Sequence, residues 1–337
     1  MMRRILFFLI LLLSCALPSA RTFAADTKWL HATSAHFDMY AAEGEGDPKA
    51  ALLHLESVRA YFLAATHSND PGGQAVRVVV FHSEGDFTKY RPTEAGAARV
   101  FTQWGAAPAT IVALGLKPEI YEQVFREYTQ LVLDESAPTL PYWFRAGLSE
   151  IYSTLKPADG SVKLGSPPVR GFKAGGISDG LDLTVLMTID RAGILSSRGK
   201  QSTDFYTETI SAKTSAALGN GTATTALNNV SSQATEDYAG AAWMLTHMLM
   251  FQQDYRPKFG VFLNALGTGT ESGAAFTKIY GRSLSQVAND LKLYAKQPAL
   301  ATITMNFKSD KPAAAQVKTA TKDETDKVFD DLSRKPK

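Results

Sequence analysis

The chain has 337 residues, with 35 Lys and Arg against 33 Asp and Glu, so its formal net charge is +2. This near balance argues against nucleic acid as the main partner, because binding to a phosphate backbone needs a clear excess of positive charge. The single cysteine is Cys15, so the chain beyond it offers no disulfide, no thiol nucleophile and no thiolate metal ligand.

The N-terminus has the parts of a secretory signal peptide. Arg3 and Arg4 give a positive start, residues 5–13 are an unbroken apolar run, and Thr22-Phe23-Ala24 forms a cleavage motif. The apolar run is too short to cross a bilayer as a helix, which takes about 20 residues. We therefore predict a signal peptide over residues 1–25 and an exported protein that is periplasmic or secreted.

Two alternatives to simple secretion stay open. The signal segment would act as a membrane anchor if it were not cleaved, and Cys15 would carry a lipid if the protein were a lipoprotein. The second alternative is disfavoured because Leu13 is a poor residue two positions before the cysteine. No later apolar stretch is long enough for a transmembrane helix, so none is predicted in the mature chain.

Apolar periodicity and turn residues in the first half predict, in chain order, a strand, a helix, a buried strand, a short helix, a partly exposed strand and two helices. Ser83 is the expected cap of the short helix, and Pro118 opens the first of the two later helices. The predicted ranges are 29–40, 48–65, 76–81, 83–90, 109–114, 118–134 and 140–154.

The second half is predicted to be mostly helical after a short strand over 162–164. Its predicted helices are 181–191, 238–252, 257–266, 272–280 and 283–296. Residues 193–236 are rich in Ser, Thr, Asn, Ala and Gly, as expected of a lid or mobile loop. The chain from residue 308 is polar and predicted to be extended, with one helix near its end.

The order of elements predicts an α+β fold with two parts. An α+β lobe with a twisted sheet covers residues 26–155, and a mostly helical lobe covers residues 156–298. A C-terminal tail follows over 299–337. Either one hydrophobic core serves both parts, or two lobes meet at a cleft.

Two neighbouring predicted helices carry the most informative residues. The first reads REYTQLVLD over 126–134, and the second region reads LPYWFRAGLSEIY over 140–152. They resemble the gluzincin-type metallopeptidases, in particular the bacterial peptidase MA-like group, which reads HEYTHLLLD and then LPxWFNEGLAEY. Other elements between residues 29 and 295 resemble the same family in order and spacing. The resemblance implies a gluzincin, or thermolysin-like, fold.

The resemblance also implies what the motif is for. In such enzymes two His at i and i+4 and a Glu on the next helix bind zinc, and the Glu beside the first His is the general base. This chain has Arg126, Gln130 and Ala146 at the three ligand positions, and keeps only the general base, as Glu127. A guanidinium, an amide and a methyl cannot assemble a zinc site. We therefore expect no zinc or other cofactor, and an inactive remnant at Glu127.

A rebuilt site is the alternative to a lost one. It would contain Glu127, Glu150 and, if its helix packs close by, His247. Without paired imidazoles this set would suit magnesium or calcium no worse than zinc. If no metal binds, we expect Arg126 to pair with Glu150 or Glu127 and so to fill the former metal position.

Two aromatic residues beside these positions, Tyr128 and Trp143, are candidate cleft residues, although Trp143 fits a core position better. In active relatives an edge strand beside the cleft pairs with an extended peptide. The predicted strand over 109–114 is the candidate for that edge.

Three functions stay open. The protein is a pseudo-peptidase that binds a peptide or protein of the cell envelope, an active hydrolase that uses the rebuilt site, or a structural module of the envelope. The sequence favours the first, because all three ligand positions have changed together.

Overall fold

The computed structural model describes residues 27–66, 74–92, 98–103, 108–158, 160–169, 183–188, 231–306 and 314–334. The predicted signal peptide, with Cys15, lies outside these residues. So do residues 193–230 of the predicted Ser/Thr-rich insertion.

Helices and strands alternate in the first part of the chain and helices dominate the second, which confirms the α+β prediction. The helices are α1 Pro48–Thr66, α2 Glu84–Tyr90, α3 Pro118–Ser136, α4 Tyr142–Ser153, α5 Leu183–Thr188, α6 Ser231–Phe251, α7 Phe259–Gly267, α8 Ser272–Ala275, α9 Leu284–Ala295 and α10 Lys322–Ser333. The strands are β1 Trp29–Thr33, β2 Phe37–Ala42, β3 Val76–Phe81, β4 Val100–Gln103, β5 Thr110–Leu114, β6 Lys156–Ala158, β7 Ser161–Leu164, β8 Ile303–Asn306 and β9 Gln316–Thr319.

Short irregular helices complete the second part. A 3₁₀ turn at Arg256–Lys258 leads into α7, and a π-helix at Phe276–Tyr280 follows α8. Within the described ranges, none of the helices is long and apolar enough to cross a membrane.

Six of the described strands form a mixed sheet in the order β4-β5-β3-β2-β1-β9. Strands β2, β3 and β5 run parallel, while β4, β1 and β9 are antiparallel to their neighbours. The run Val76–Phe81 is apolar on both faces apart from Arg77, as expected of a central parallel strand. Helices α1 and α3 contribute to the hydrophobic core on one face, and α2 and α10 to the core on the other.

The prediction of one strand over 29–40 is wrong, because a turn divides it. Strands β1 and β2 form an antiparallel pair in which Thr33 lies opposite Asp38. The Ser34 amide donates a hydrogen bond to the Phe37 carbonyl at 3.0 Å, which closes the turn. Apolar alternation continues on both sides of the turn, so the periodicity alone does not reveal it.

The strand predicted over 109–114 is present as β5, but its predicted position at the edge of the sheet is wrong. Strand β5 pairs with β3 on one side and β4 on the other, and its five residues are all buried. Among the described strands, β4 (Val100–Gln103) is the edge strand on this side of the sheet. The sequence did not predict β4, because four residues are too few for a clear alternating pattern.

Part of the predicted C-terminal tail belongs to the two described sheets. Strand β9 pairs with β1, and β8 joins β6 and β7 in a separate antiparallel sheet. The predicted helix near the end is α10, which begins with a capping box between Thr321 and Glu324. Helix α10 buries Val328 and Leu332 in the second core cluster.

The larger core cluster contains side chains from both predicted lobes. Phe37 and Phe125 come from the first part of the chain, and Trp243 and Phe276 from the second, all almost completely buried. One hydrophobic core therefore serves both parts, which was the first of the two arrangements that the sequence left open.

Helices α4 and α6 approach closely at Gly147. A Cβ atom there would lie 2.2 Å from the Thr246 hydroxyl oxygen and 2.4 Å from the Ala242 carbonyl oxygen. These distances are far below van der Waals contact, so only glycine fits at this crossing. Gly147 thereby fixes the position of α4, which carries part of the candidate site.

We expect Gly147→Ala to lower the free energy of unfolding by about 1–3 kcal/mol, because the added methyl group forces α4 and α6 apart. Urea denaturation followed by circular dichroism measures this change. Gly260→Ala in α7 is the matched control, since a Cβ atom there meets nothing within 4 Å. The control should be neutral or stabilising by up to about 1 kcal/mol. Equal effects at both positions would contradict the close crossing.

Candidate functional site

The candidate site lies between helices α3 and α4. Helix α3 has Pro118 in its first turn and packs Val124 and Tyr128 into the core. Helix α4 begins after Pro141 and directs Ser149 and Glu150 towards the polar side of α3. The two helices thus bring the polar side chains of both motifs together.

Arg126 forms the centre of this site. Its guanidinium donates to Glu127 Oε1 at 2.6 Å and to Glu150 Oε1 at 3.3 Å. The sequence predicted that Arg126 pairs with Glu150 or Glu127, and the structure shows ion pairs with both. The three side chains are mostly shielded from solvent, with exposed fractions of 21% for Arg126, 15% for Glu127 and 4% for Glu150.

The two carboxylates keep Arg126 charged. Burial alone would lower the pKa of its guanidinium, but attraction to Glu127 and Glu150 and the hydrogen bonds to both raise the pKa above the ordinary value. A permanent cation therefore occupies this part of the site at every accessible pH.

Glu127 has a second partner on the sheet. The Thr102 hydroxyl of strand β4 donates to Glu127 Oε2 at 2.5 Å. Both carboxylate oxygens of Glu127 are therefore engaged by protein groups. The hydrogen bond between Thr102 and Glu127 connects α3 to β4, the edge strand of the sheet.

A second polar network joins the same helices one turn further along. The Gln130 amide donates to Asp134 Oδ1 at 2.9 Å, and the Arg145 guanidinium lies 3.2 Å from the same oxygen. The Ser149 hydroxyl lies 3.2 Å from Gln130 Oε1. Arg145 also donates to the Pro138 carbonyl at 2.7 Å, which holds the α3–α4 connection. The amide of Gln130 is thus used in helix packing.

The residues at the three positions that the resemblance assigns to zinc ligands do not fit zinc. Arg126 is a cation, Gln130 is hydrogen bonded to Asp134, and Ala146 is a methyl group that packs against the core. In the described part of the chain, no three His, Cys, Asp or Glu side chains converge so as to hold a metal ion. No catalytic step through a metal follows from this donor set.

His247, the proposed third member of a rebuilt site, is fully buried and hydrogen bonded through both ring nitrogens. Its Nε2 lies 2.9 Å from the Gly165 carbonyl oxygen, and its Nδ1 lies 2.8 Å from the Tyr294 hydroxyl. Burial lowers the pKa of His247 to about 4, so the ring is neutral near pH 7. Nε2 then donates to the carbonyl and Nδ1 accepts from Tyr294, which leaves no lone pair for a metal ion.

The two aromatic candidates for the cleft lie in the core. Tyr128 packs against Phe37 and Phe125, with ring centroids 5.2 and 5.7 Å away. Trp143 is fully buried, and its indole donates to the Ser272 hydroxyl at 3.0 Å. Neither side chain is placed to contact a ligand, so both contribute to packing instead.

A small open pocket lies beside Arg126. Three of its lining residues are acidic, and the full lining is Glu119, Glu122, Gln123, Arg126, Glu150, Ser153 and Pro168. The pocket leaves one side of the Arg126–Glu150 pair accessible.

Sequence reasoning missed three polar residues of the site. Thr102 gave no signal, because its strand was not predicted. Asp134 lies four residues after Gln130, a helical spacing that could have suggested their hydrogen bond. Arg145 stands where the resembled family has Asn. This difference could have indicated that Arg145 has a role of its own in the site.

Comparisons with known proteins add no assignment. The chain matches no protein-family model and no curated protein. The resemblance described above therefore depends on the motifs themselves.

We expect Arg126→Met to lower the free energy of unfolding by about 2–4 kcal/mol, because it leaves the Glu127 and Glu150 carboxylates shielded without their cation. Adding Glu150→Gln should restore part of the loss, since one uncompensated charge is then removed. Urea denaturation of both single variants and the double variant gives the coupling energy.

The control for this double-mutant cycle is Arg334→Met, which removes the ion pair between the exposed Arg334 and Asp331. We expect it to cost less than about 1 kcal/mol. Strictly additive effects of Arg126→Met and Glu150→Gln would contradict a functional ion pair at the site.

Proposed function

We propose that this protein is an exported pseudo-peptidase, which keeps a gluzincin-like fold but binds a peptide or protein of the cell envelope without cleaving it. The observation that carries the proposal is the pairing of Arg126 with both Glu127 and Glu150. A carboxylate whose oxygens are held by a guanidinium and a hydroxyl is a weaker base towards water, because both contacts stabilise its ionised form.

The positions of the three changed ligands support the same proposal. Arg126 and Gln130 are one helical turn apart on α3, and their side chains contact Glu150 and Ser149 of α4. Ala146 lies one turn before Glu150 and three residues before Ser149. These contacts between α3 and α4 support the relation of helices that a zinc site of two His and one Glu would need.

Strand β4 is the proposed binding edge. The Leu114 amide donates to the Arg99 carbonyl at 2.8 Å, and the antiparallel pairing continues from there to Gln103 opposite Thr110. Because hydrogen-bonded and non-hydrogen-bonded pairs alternate, the main-chain groups of Val100 and Thr102 point away from β5. An extended peptide would pair with them directly beside Glu127.

The first test restores the ligands. We expect the triple variant Arg126→His/Gln130→His/Ala146→Glu to bind one zinc ion per chain, because under the proposal these three positions on α3 and α4 are those of two His and one Glu ligand. Isothermal titration calorimetry with zinc chloride measures the stoichiometry. The control Arg126→His/Gln130→His/Ala146→Gln lacks only the third carboxylate and should bind more weakly. A folded triple variant that takes up no zinc would argue against the gluzincin-like arrangement.

The second test measures peptide binding at β4 with reduced, unfolded casein as the probe. We expect Thr102→Pro to weaken binding by about tenfold or more, because it removes an outward N–H donor. Thr102→Val is the matched control, since it keeps the N–H group and the branched side chain while losing only the hydroxyl. Fluorescence anisotropy of labelled casein gives both affinities.

Gel analysis of the same mixtures separates the proposal from the hydrolase alternative. The pseudo-peptidase leaves casein intact in the wild type and in both variants. Cleavage that Glu127→Gln abolishes would support the hydrolase, and absence of any casein binding would favour the structural module.

A further inference from the structure

A cluster of charged residues on the opposite face of the sheet joins the C-terminal unit, β9 and α10, to the rest of the fold. Its centre is His31 of β1, which lies opposite Tyr40 on β2 and Lys318 on β9. The His31 ring stacks on Tyr40 with the ring centroids 4.3 Å apart, and only 13% of the side chain is exposed.

The two ring nitrogens of His31 face two different carboxylates. Nε2 lies 2.6 Å from Asp38 Oδ1, and Nδ1 lies 3.6 Å from Glu324 Oε1 at the start of α10. An ionised carboxylate only accepts hydrogen bonds, so Nε2 carries the proton in the pair with Asp38. Nδ1 is buried and has no hydrogen-bond partner within normal distance.

The second nitrogen therefore makes the contact depend on protonation. In the neutral imidazole, Nδ1 presents a lone pair to the Glu324 carboxylate, which is unfavourable. In the imidazolium, Nδ1 carries a proton between the ring and Glu324, and the ring links the sheet to α10 by charge on both sides.

We propose that β9 and α10 form a pH-dependent clasp on the sheet, which tightens when His31 carries a proton on both ring nitrogens. The contact with Glu324 is favourable in the imidazolium and is lost when Nδ1 gives up its proton. This inference concerns a different face of the sheet and does not depend on the proposed function.

Two groups that contact His31 each keep one protonation state between about pH 5 and pH 8. Hydrogen bonds from Lys318 and Thr321 lower the pKa of Glu324 to about 2, so this carboxylate stays ionised. Burial and then Asp38 raise the pKa of Tyr40 to about 12, so its hydroxyl stays neutral.

Other charges around His31 oppose or support its protonation without titrating in this range. Lys318 pairs with Glu324 at 2.6 Å and disfavours a second cation nearby. Arg77 of β3 lies 3.5 Å from Asp38 and 3.0 Å from Asp331 of α10, so it holds the clasp whether or not His31 is protonated. The clasp is thus weakened rather than released when His31 loses its proton.

Beneath the clasp lies an aromatic surface. Phe329 of α10 packs against Trp29 and Phe81, with ring centroids 5.1 and 5.9 Å away. Local opening of β9 and α10 would expose these rings. The stability of the clasp therefore controls access to this face of the sheet.

Hydrogen–deuterium exchange of the full mature chain, read by mass spectrometry over residues 316–333, tests the clasp at about pH 5 and about pH 8. After correction for the pH dependence of intrinsic exchange, we expect protection in this segment to fall by about fivefold at the higher pH. His31→Gln should remove the difference. Glu324→Gln should remove it as well, because glutamine keeps the capping box but not the charge.

His82→Gln is the matched control, since it removes another histidine–carboxylate pair, with Glu45, at a largely exposed position. This variant should keep the pH difference of the wild type. Equal protection at both pH values in the wild type would overturn the proposal. So would a pH difference that persists unchanged in folded His31→Gln or folded Glu324→Gln.

Discussion

A guanidinium that is shielded from water must have anionic partners, because an unpaired buried charge costs several kcal/mol. Arg126 meets this requirement through Glu127 on its own helix and Glu150 on the next one. The same pairs hold α3 against α4 and, through Thr102, against the end strand of the sheet. The arrangement of the candidate site follows from the need to neutralise this one cation.

Two neighbouring helices can be held in register by a bound metal ion or by polar side-chain contacts. Here two polar networks join α3 and α4 at successive turns. The first is centred on Arg126, and the second joins Gln130 and Asp134 of α3 to Arg145 and Ser149 of α4. Close packing at Gly147 fixes the other side of α4. Side-chain contacts therefore hold the two helices together at successive turns.

Elements with strong local signals could be predicted from the sequence. Ser83 was expected to cap α2, and its hydroxyl accepts from the Asp86 amide. The strand Val76–Phe81 followed from its β-branched residues. Strand β9 could not be placed in this way, because its four exposed residues pair through the main chain with a strand far away in the sequence. The partners of Arg126 were predictable because the resemblance aligned the two helices, whereas Thr102 depended on an unpredicted strand.

The central claim is that protein side chains have taken the place of a metal ion between α3 and α4. Elemental analysis of the mature wild-type protein, purified without chelator and again after zinc loading and gel filtration, tests it most directly. The account predicts no metal in stoichiometric amount in either preparation. One zinc ion per chain, lost in a folded Glu127→Ala variant, would contradict it, since Glu127 would then be a metal ligand rather than the partner of Arg126.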